Sequence, residues 1–125
     1  MHFGRREFVV AAAAVLGAPP VKSARGERYG LIGKMTAVAG QRDALIAILL
    51  ESIHDMPGCL SYVVAKDAMD ANGIWITEVW DSKATHDASL SLPAVRNAIA
   101  RGKPLIAGFS DGATTIPIGG HGLPD

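Results

Sequence analysis

"CLSYVVAKDAMDANGIWITEVW", residues 59 to 80, decides the fold. Its two ends are rich in β-branched and aromatic side chains, the composition of strands. Its middle, Asp67 to Gly73, gathers Asp, Asn and Gly, which favour turns. Two strand-like runs around such a segment read as an antiparallel hairpin. In the second run, alternation puts Ile74, Ile76, Glu78 and Trp80 on one face. Trp75, Thr77 and Val79 point to the other. Both faces are apolar, so both need cover.

Upstream, "QRDALIAILLESIHDM", 41 to 56, repeats apolar residues at helical spacing, and no Gly or Pro interrupts it before Pro57-Gly58. The spacing predicts a helix over 41–56, with His54 stabilising its C-terminal end. "YGLIGKMTAV", 29 to 38, reads as a strand holding two glycines. Downstream, Asp81 and Ser82 are good N-caps for a helix over "KATHDASLSL", 83 to 92. Leu92-Pro93 interrupts it, because the residue before proline is pushed out of the α region. Pro93 opens a further helix, "PAVRNAIARG", with Val95 and Ile99 inward and Gly102 as its C-terminal cap. "KPLIAGF", 103 to 109, fits either a continued helix or a loop. "GATTIPI", 112 to 118, is a last strand, placed at a sheet edge because Pro117 cannot donate to a ladder.

The order β–α–β–β–α–β predicts an α+β chain with the ferredoxin-like split βαβ fold, an antiparallel sheet with helices on one face. The other sheet face then needs a covering partner, and a second copy of the chain is the usual one. A homodimer is therefore expected.

Composition narrows the partners. At 49% hydrophobic and 19% charged, the chain is of the globular class. Arg5, Arg6, Lys22 and Arg25 concentrate positive charge at the start, where Glu7 is the only acid. Setting these aside leaves 8 basic and 11 acidic side chains, a net of −3. No basic stripe exists to bind nucleic acid. The single cysteine, Cys59, cannot form an internal disulfide, and no zinc or iron–sulfur spacing occurs. It reads first as a small, half-buried apolar residue. No stable membrane span is expected, since no apolar run approaches the roughly 20 residues required.

Residues 1–25 read as an export signal, and 26–125 as the folded domain. A basic start, an apolar run from Phe8 to Ala18, the Pro19-Pro20 break and a small-residue region make up the plan of such signals. Arg5-Arg6 followed by Glu7-Phe8 resembles the twin-arginine motif. The expectation is a bacterial protein exported to the periplasm or beyond.

Three further features carry a resemblance. Pro57-Gly58-Cys59 precedes the second strand, Glu78-Val79-Trp80 ends the third with Ser82 following, and the helix after them contains Pro93. In these pieces the chain resembles the antibiotic biosynthesis monooxygenase (ABM) domain family, quinol monooxygenase-like, over roughly residues 28–118. The resemblance implies a dimeric α/β-barrel type of ferredoxin-like fold, with a pocket between sheet and helices. It implies oxidation by O2 of an electron-rich quinol or polyphenol-like substrate, polycyclic phenols or quinols in characterised relatives, with no metal or flavin cofactor. A non-catalytic dimeric module binding a small aromatic molecule is the alternative on the same fold. Haem-degrading relatives carry an asparagine on the first strand, where this chain offers Gly33 and Lys34.

The candidate residues follow from both readings. Trp80 is the aromatic wall, its position bordering the pocket in the family, or else plain core. Glu78 shares its face and suits a proton acceptor if burial raises its pKa, or else pairs with Lys34. His86 offers an imidazole near neutral pH, although relatives keep their histidines at positions matching Ser89 and Ala94. Tyr62, Ile76 and Ser89 are candidate substrate contacts.

Overall fold

The hairpin expected over residues 59–80 forms half of one four-stranded sheet. In the computed structural model, which describes residues 27–124, β2 (Cys59–Lys66) and β3 (Gly73–Trp80) pair antiparallel, with Tyr62 opposite Glu78 and Val64 opposite Ile76. β1 (Tyr29–Ala37) lies on the other side of β3, with Tyr29 opposite Trp80, Leu31 opposite Glu78 and Gly33 opposite Ile76. β4 (Ile106–Thr115) completes the order β2-β3-β1-β4, all antiparallel. Helices α1 (Arg42–Glu51), α2 (Lys83–Ser89) and α3 (Pro93–Gly102) complete the element set. This is the ferredoxin-like α+β fold, with an open sheet. The expected leader at 1–25 lies outside the described residues.

The connection between β2 and β3 is held by its acids. Asp67 Oδ1 accepts the N–H groups of Met69 and Asp70, both at 2.8 Å, and Oδ2 accepts Trp75 Nε1 at 2.7 Å. Lys34 Nζ reaches across from β1 to Asp67 at 3.6 Å and to Asp70 at 3.0 Å. The Trp75 N–H first, then the backbone donors, hold the Asp67 carboxyl well below the usual carboxylate range. Lys34 therefore pairs with the turn, and the expected alternative of a Lys34–Glu78 pair is not formed.

Two apolar clusters fill the space between sheet and helices. One joins Met35, Ala37, Leu45, Leu49, Ile74, Ile76 and Ile106. The other joins Tyr29, Leu31, Met56 and Trp80. Their strand members come from the face that alternation assigned to Ile74, Ile76 and Trp80. The opposite face leaves Val63 and Ile32 exposed, at 52% and 38%.

Several boundaries differ from the sequence expectations. α1 ends at Glu51, short of Met56, because Ser52 tightens the last turn through Leu49 O and the chain then turns left-handed at Asp55 (φ 53°) and Gly58 (φ 87°). Ile53 and Met56 continued the apolar period because they pack on the core as loop residues. His54 thus lies beyond the helix, outside its last turn, and is exposed. Gly102 is a buried, right-handed last residue of α3 and not a left-handed cap. A short 3₁₀ turn, Lys103–Leu105, leads into β4. That strand starts at Ile106 and not at 112, and Pro117 falls beyond its end.

The Pro57-Gly58-Cys59 step has a physical reason. Gly58 sits at φ +87°, and a Cβ there would come within 2.5 Å of Thr85 on α2. Gly58 O also accepts Asp81 N–H at 2.8 Å, just past Trp80. Gly58→Ala is expected to cost about 1–3 kcal/mol from left-handed strain, with the Thr85 collision added. Urea melts of the variant and parent check this. A loss below about 0.5 kcal/mol would contradict it.

Candidate functional site

β3 delivers its face residues Ile76, Glu78 and Trp80 to the wall of a cavity of about 500 Å3 between the sheet and the helices. α2 supplies His86 and Ser89, and β2 supplies Tyr62. The cavity therefore brings together all six residues singled out in the sequence. β1 contributes Leu31, Gly33 and Met35, and β4 contributes Phe109 to Thr114. The volume lies within the range of small-molecule sites, about 300–1,000 Å3.

Trp80 is 1% exposed and is at once core and wall. Its Nε1 donates to Glu78 Oε1 at 2.9 Å, two residues back on the same face. Burial pushes the Glu78 carboxyl up. The Trp80 N–H and the nearby His86 oppose that push, and the net shift remains upward. A carboxyl so tuned takes up a proton more readily than a surface glutamate.

His86 is 4% exposed. Its ring lies 5.1 Å from that of Tyr29, tilted at 49°, and 5.4 Å from that of Trp80, edge-on at 84°. Nδ1 lies 3.0 Å from Asp87 Oδ1. Ser82 caps the helix by accepting Thr85 N–H at 3.2 Å, which fixes the turn that carries His86 inward. Lys83 pairs with Asp87 at 2.7 Å. Burial pushes the Asp87 carboxyl up, but Lys83 and His86 outweigh it and hold the group below its ordinary value. Ser89 Oγ donates to His86 O at 2.6 Å, so its hydroxyl proton is committed to the helix backbone.

Tyr62 packs against both clusters, and its phenol is pushed well above the ordinary value by burial, then by Glu78 and Cys59. Cys59 is half-buried, its Sγ 3.6 Å from Ser61 O. Burial, then Glu78, pushes the thiol up, which disfavours the thiolate needed for a nucleophile. Among the described residues no group of three or more His, Cys, Asp or Glu side chains is placed to hold a metal ion. Among the same residues no helix is long and apolar enough to cross a membrane.

The sequence reading passed over Tyr29. It is 6% exposed, pairs with Trp80 across the sheet and stacks on His86. Its hydroxyl is buried without a hydrogen-bond partner. Burial, then Asp87 and Glu78, pushes the phenol up, so it stays protonated. Its place on the inward alternation of β1 was the available signal. Tyr29→Phe removes an unsatisfied buried group and is expected to raise stability by about 1 kcal/mol. A lower melting temperature than the parent's would contradict this.

Residues 28–101 match the family model of the antibiotic biosynthesis monooxygenases. The chain belongs to this family. A crystal structure of a Chloroflexus aurantiacus J-10-fl protein, assigned as an antibiotic biosynthesis monooxygenase, shares 64% identity. It covers 78% of this chain and 99% of its own, at a TM-score of 0.76. PA3566 from Pseudomonas aeruginosa shares the fold at 20% identity and a TM-score of 0.66, over 78% of this chain and 100% of its own. Rv0793 from Mycobacterium tuberculosis does so at 21% and 0.64, over 75% and 98%. No curated protein matches the chain. ABM proteins are typically small-molecule monooxygenases, and in this ABM chain the Glu-x-Trp step forms the cavity wall.

Proposed function

We propose that this ABM chain is a cofactor-independent monooxygenase that oxidises a quinol or polyphenol-like small molecule with O2. The supporting observation is the Glu78 carboxyl on the cavity wall, its pKa raised by burial and its Oε1 held by Trp80 Nε1 at 2.9 Å.

The chemistry follows from the substrate. An electron-rich ring loses a hydroxyl proton to Glu78, and the anion gives one electron to O2. The two radicals join through a new C–O bond, and loss of water leaves a carbonyl. One oxygen atom enters the product and the other leaves as water, all electrons coming from the ring. Trp80, Ile76 and Tyr62 bind the ring and exclude water. His86 lines the same cavity, with its Nδ1 3.0 Å from Asp87 Oδ1, and is the second side chain proposed to contact the ligand. Ser89 Oγ can still accept a hydrogen bond.

The chain acts as a homodimer in this reading. The sheet face carrying Ile32, Val63 and Val79 is apolar and uncovered by its own helices, and a second copy would close it into the barrel-like pair. Residues 1–25 direct its export. Sedimentation of the mature chain at micromolar concentration tests the pair, and a monomer would refute it. N-terminal sequencing of the protein from its native host tests the signal, and an intact N-terminus would refute it.

Oxygen uptake with a panel of hydroquinones, using isotopic O2, tests the activity. The expected result is one labelled oxygen atom in the product. Thermal stabilisation by the same compounds without oxygen uptake would instead identify a binding module.

A further inference from the structure

β4 carries an extra residue where it passes the middle of β1. Ile32 and Lys34 stand two apart on β1, while their partners on β4, Ala113 and Ser110, stand three apart. Asp111 and Gly112 together therefore oppose Gly33, the two-against-one pattern of a β-bulge. Bulges next to active sites re-aim a side chain. This one puts Asp111 on the exposed rim of the cavity, which it lines with Ser110 and Gly112. Asp111 takes the left-handed conformation, φ 52°, although Gly112 beside it could do so without steric cost. Aspartate in such turns usually ties its carboxylate to nearby backbone N–H groups. Asp111 does not: its carboxylate accepts Ser110 Oγ at 3.1 Å and no backbone donor. Among the described residues no cationic side chain pairs with it.

We propose that Asp111 is a specificity-determining residue, a charge filter at the cavity mouth that admits uncharged and cationic hydroquinones and turns away carboxylated ones. The inference rests on reading the cavity as the site of a quinol or related phenol. The charges around the cavity give the filter its sign. Among the described residues Lys34 is the one lysine or arginine of the lining. Asp70 at 3.0 Å and Asp67 at 3.6 Å take up its charge. His86, the other basic group, faces Asp87 at 3.0 Å. The two carboxyls of the lining, Asp111 and Glu78, have only uncharged donors at hydrogen-bond distance, Ser110 Oγ and Trp80 Nε1. An anionic ligand thus passes one carboxylate on its way to another. A cleft lined by one sign of charge focuses its field, which sorts ligands by charge at entry. Asp111 is exposed, so its influence runs partly through water and weakens with salt.

Calorimetric titration of the full chain and its Asp111→Asn and Asp111→Lys variants, under nitrogen at neutral pH, tests this. The probes are 2,5-dihydroxybenzoate, which is anionic, and 2,5-dihydroxybenzamide, which has the same ring and no charge. At low salt the acid-to-amide affinity ratio should shift towards the acid, about threefold in Asp111→Asn and about tenfold in Asp111→Lys. Amide affinity stays within about twofold, and at high salt both shifts shrink below about twofold. A ratio unchanged in both variants, or a shift indifferent to salt, would overturn the filter while leaving the ring-binding reading intact. Asparagine visits the left-handed conformation as aspartate does, so Asp111→Asn should melt with the parent. A much lower melting temperature would make Asp111 a structural residue and overturn the proposal. A parent chain that binds neither probe, with variants that bind neither, would overturn the ring-binding reading itself and this inference with it.

Discussion

Trp80→Ala is expected to lower the free energy of unfolding by about 3–5 kcal/mol. The indole is 1% exposed and sits in one cluster with Tyr29, Leu31 and Met56. It also forms one side of the His86 stack, edge-on at 5.4 Å. Alanine at this position opens the core and the cavity to each other. Loss of activity in that variant would not separate a wall from a structural post. Trp80→Phe does. It keeps most of the buried ring and removes only the N–H that Glu78 Oε1 accepts at 2.9 Å. That hydrogen bond opposes the upward push of burial on Glu78. Without it the carboxyl rises further, and the rising limb of the pH–rate profile moves to higher pH. Denaturant melts measure the first effect and pH–rate profiles the second. An unmoved profile in Trp80→Phe would break the proposed link between the indole and the base.

The alternation of β3 was legible because each of its residues reports one face: Ile74, Ile76 and Trp80 inward, Trp75 and Val79 outward. That strand also placed Glu78 correctly. β4 was not legible, for a physical reason. Its register shifts opposite β1, and Asp111-Gly112 breaks the period of two that identifies strands. The stretch from Ile106 to Phe109 therefore read as helix or loop, although Met35 pairs with Phe109 there. The cavity wall from Phe109 to Asp111 was lost with it. α1 shows the opposite failure: Ile53 and Met56 extend the helical period past the true end, because the core accepts loop side chains as readily as helical ones. Tyr29 went unnoticed because alternation shows which face a residue takes but not what meets it across the sheet. Its pairing with Trp80 and its contact with His86 depend on strand order and on a helix more than fifty residues away. The Pro57-Gly58-Cys59 and Glu78-Val79-Trp80 pieces looked like separate signals. Gly58 O accepting Asp81 N–H shows them as two sides of one junction.

Glu78→Gln is expected to lower the rate by about 10²–10⁴-fold, the usual worth of a positioned proton acceptor. The amide keeps the size of the side chain and can still accept the Trp80 N–H, so the wall is preserved. It cannot take a proton. In the proposed role the parent's carboxyl must be ionised to act, so the rate is expected to climb as pH rises through its raised pKa and then level. In the variant that limb is absent and the residual rate is flat over the same range. Stability gives the opposite sign for the same group. A carboxyl whose pKa is higher in the folded than in the unfolded chain binds more protons when folded. The parent therefore loses stability as pH rises from about 4.3, the ordinary glutamate value, through the raised folded value. Glutamine removes that loss, so the variant should gain on the parent as pH increases across the window and hold the gain above it. If Glu78 is the proton acceptor proposed, the pH that raises activity is thus the pH that costs stability. Paired pH–rate and pH–melting curves test both signs on one residue. A variant with full activity and an unchanged stability profile would leave Glu78 as no more than the acceptor for Trp80.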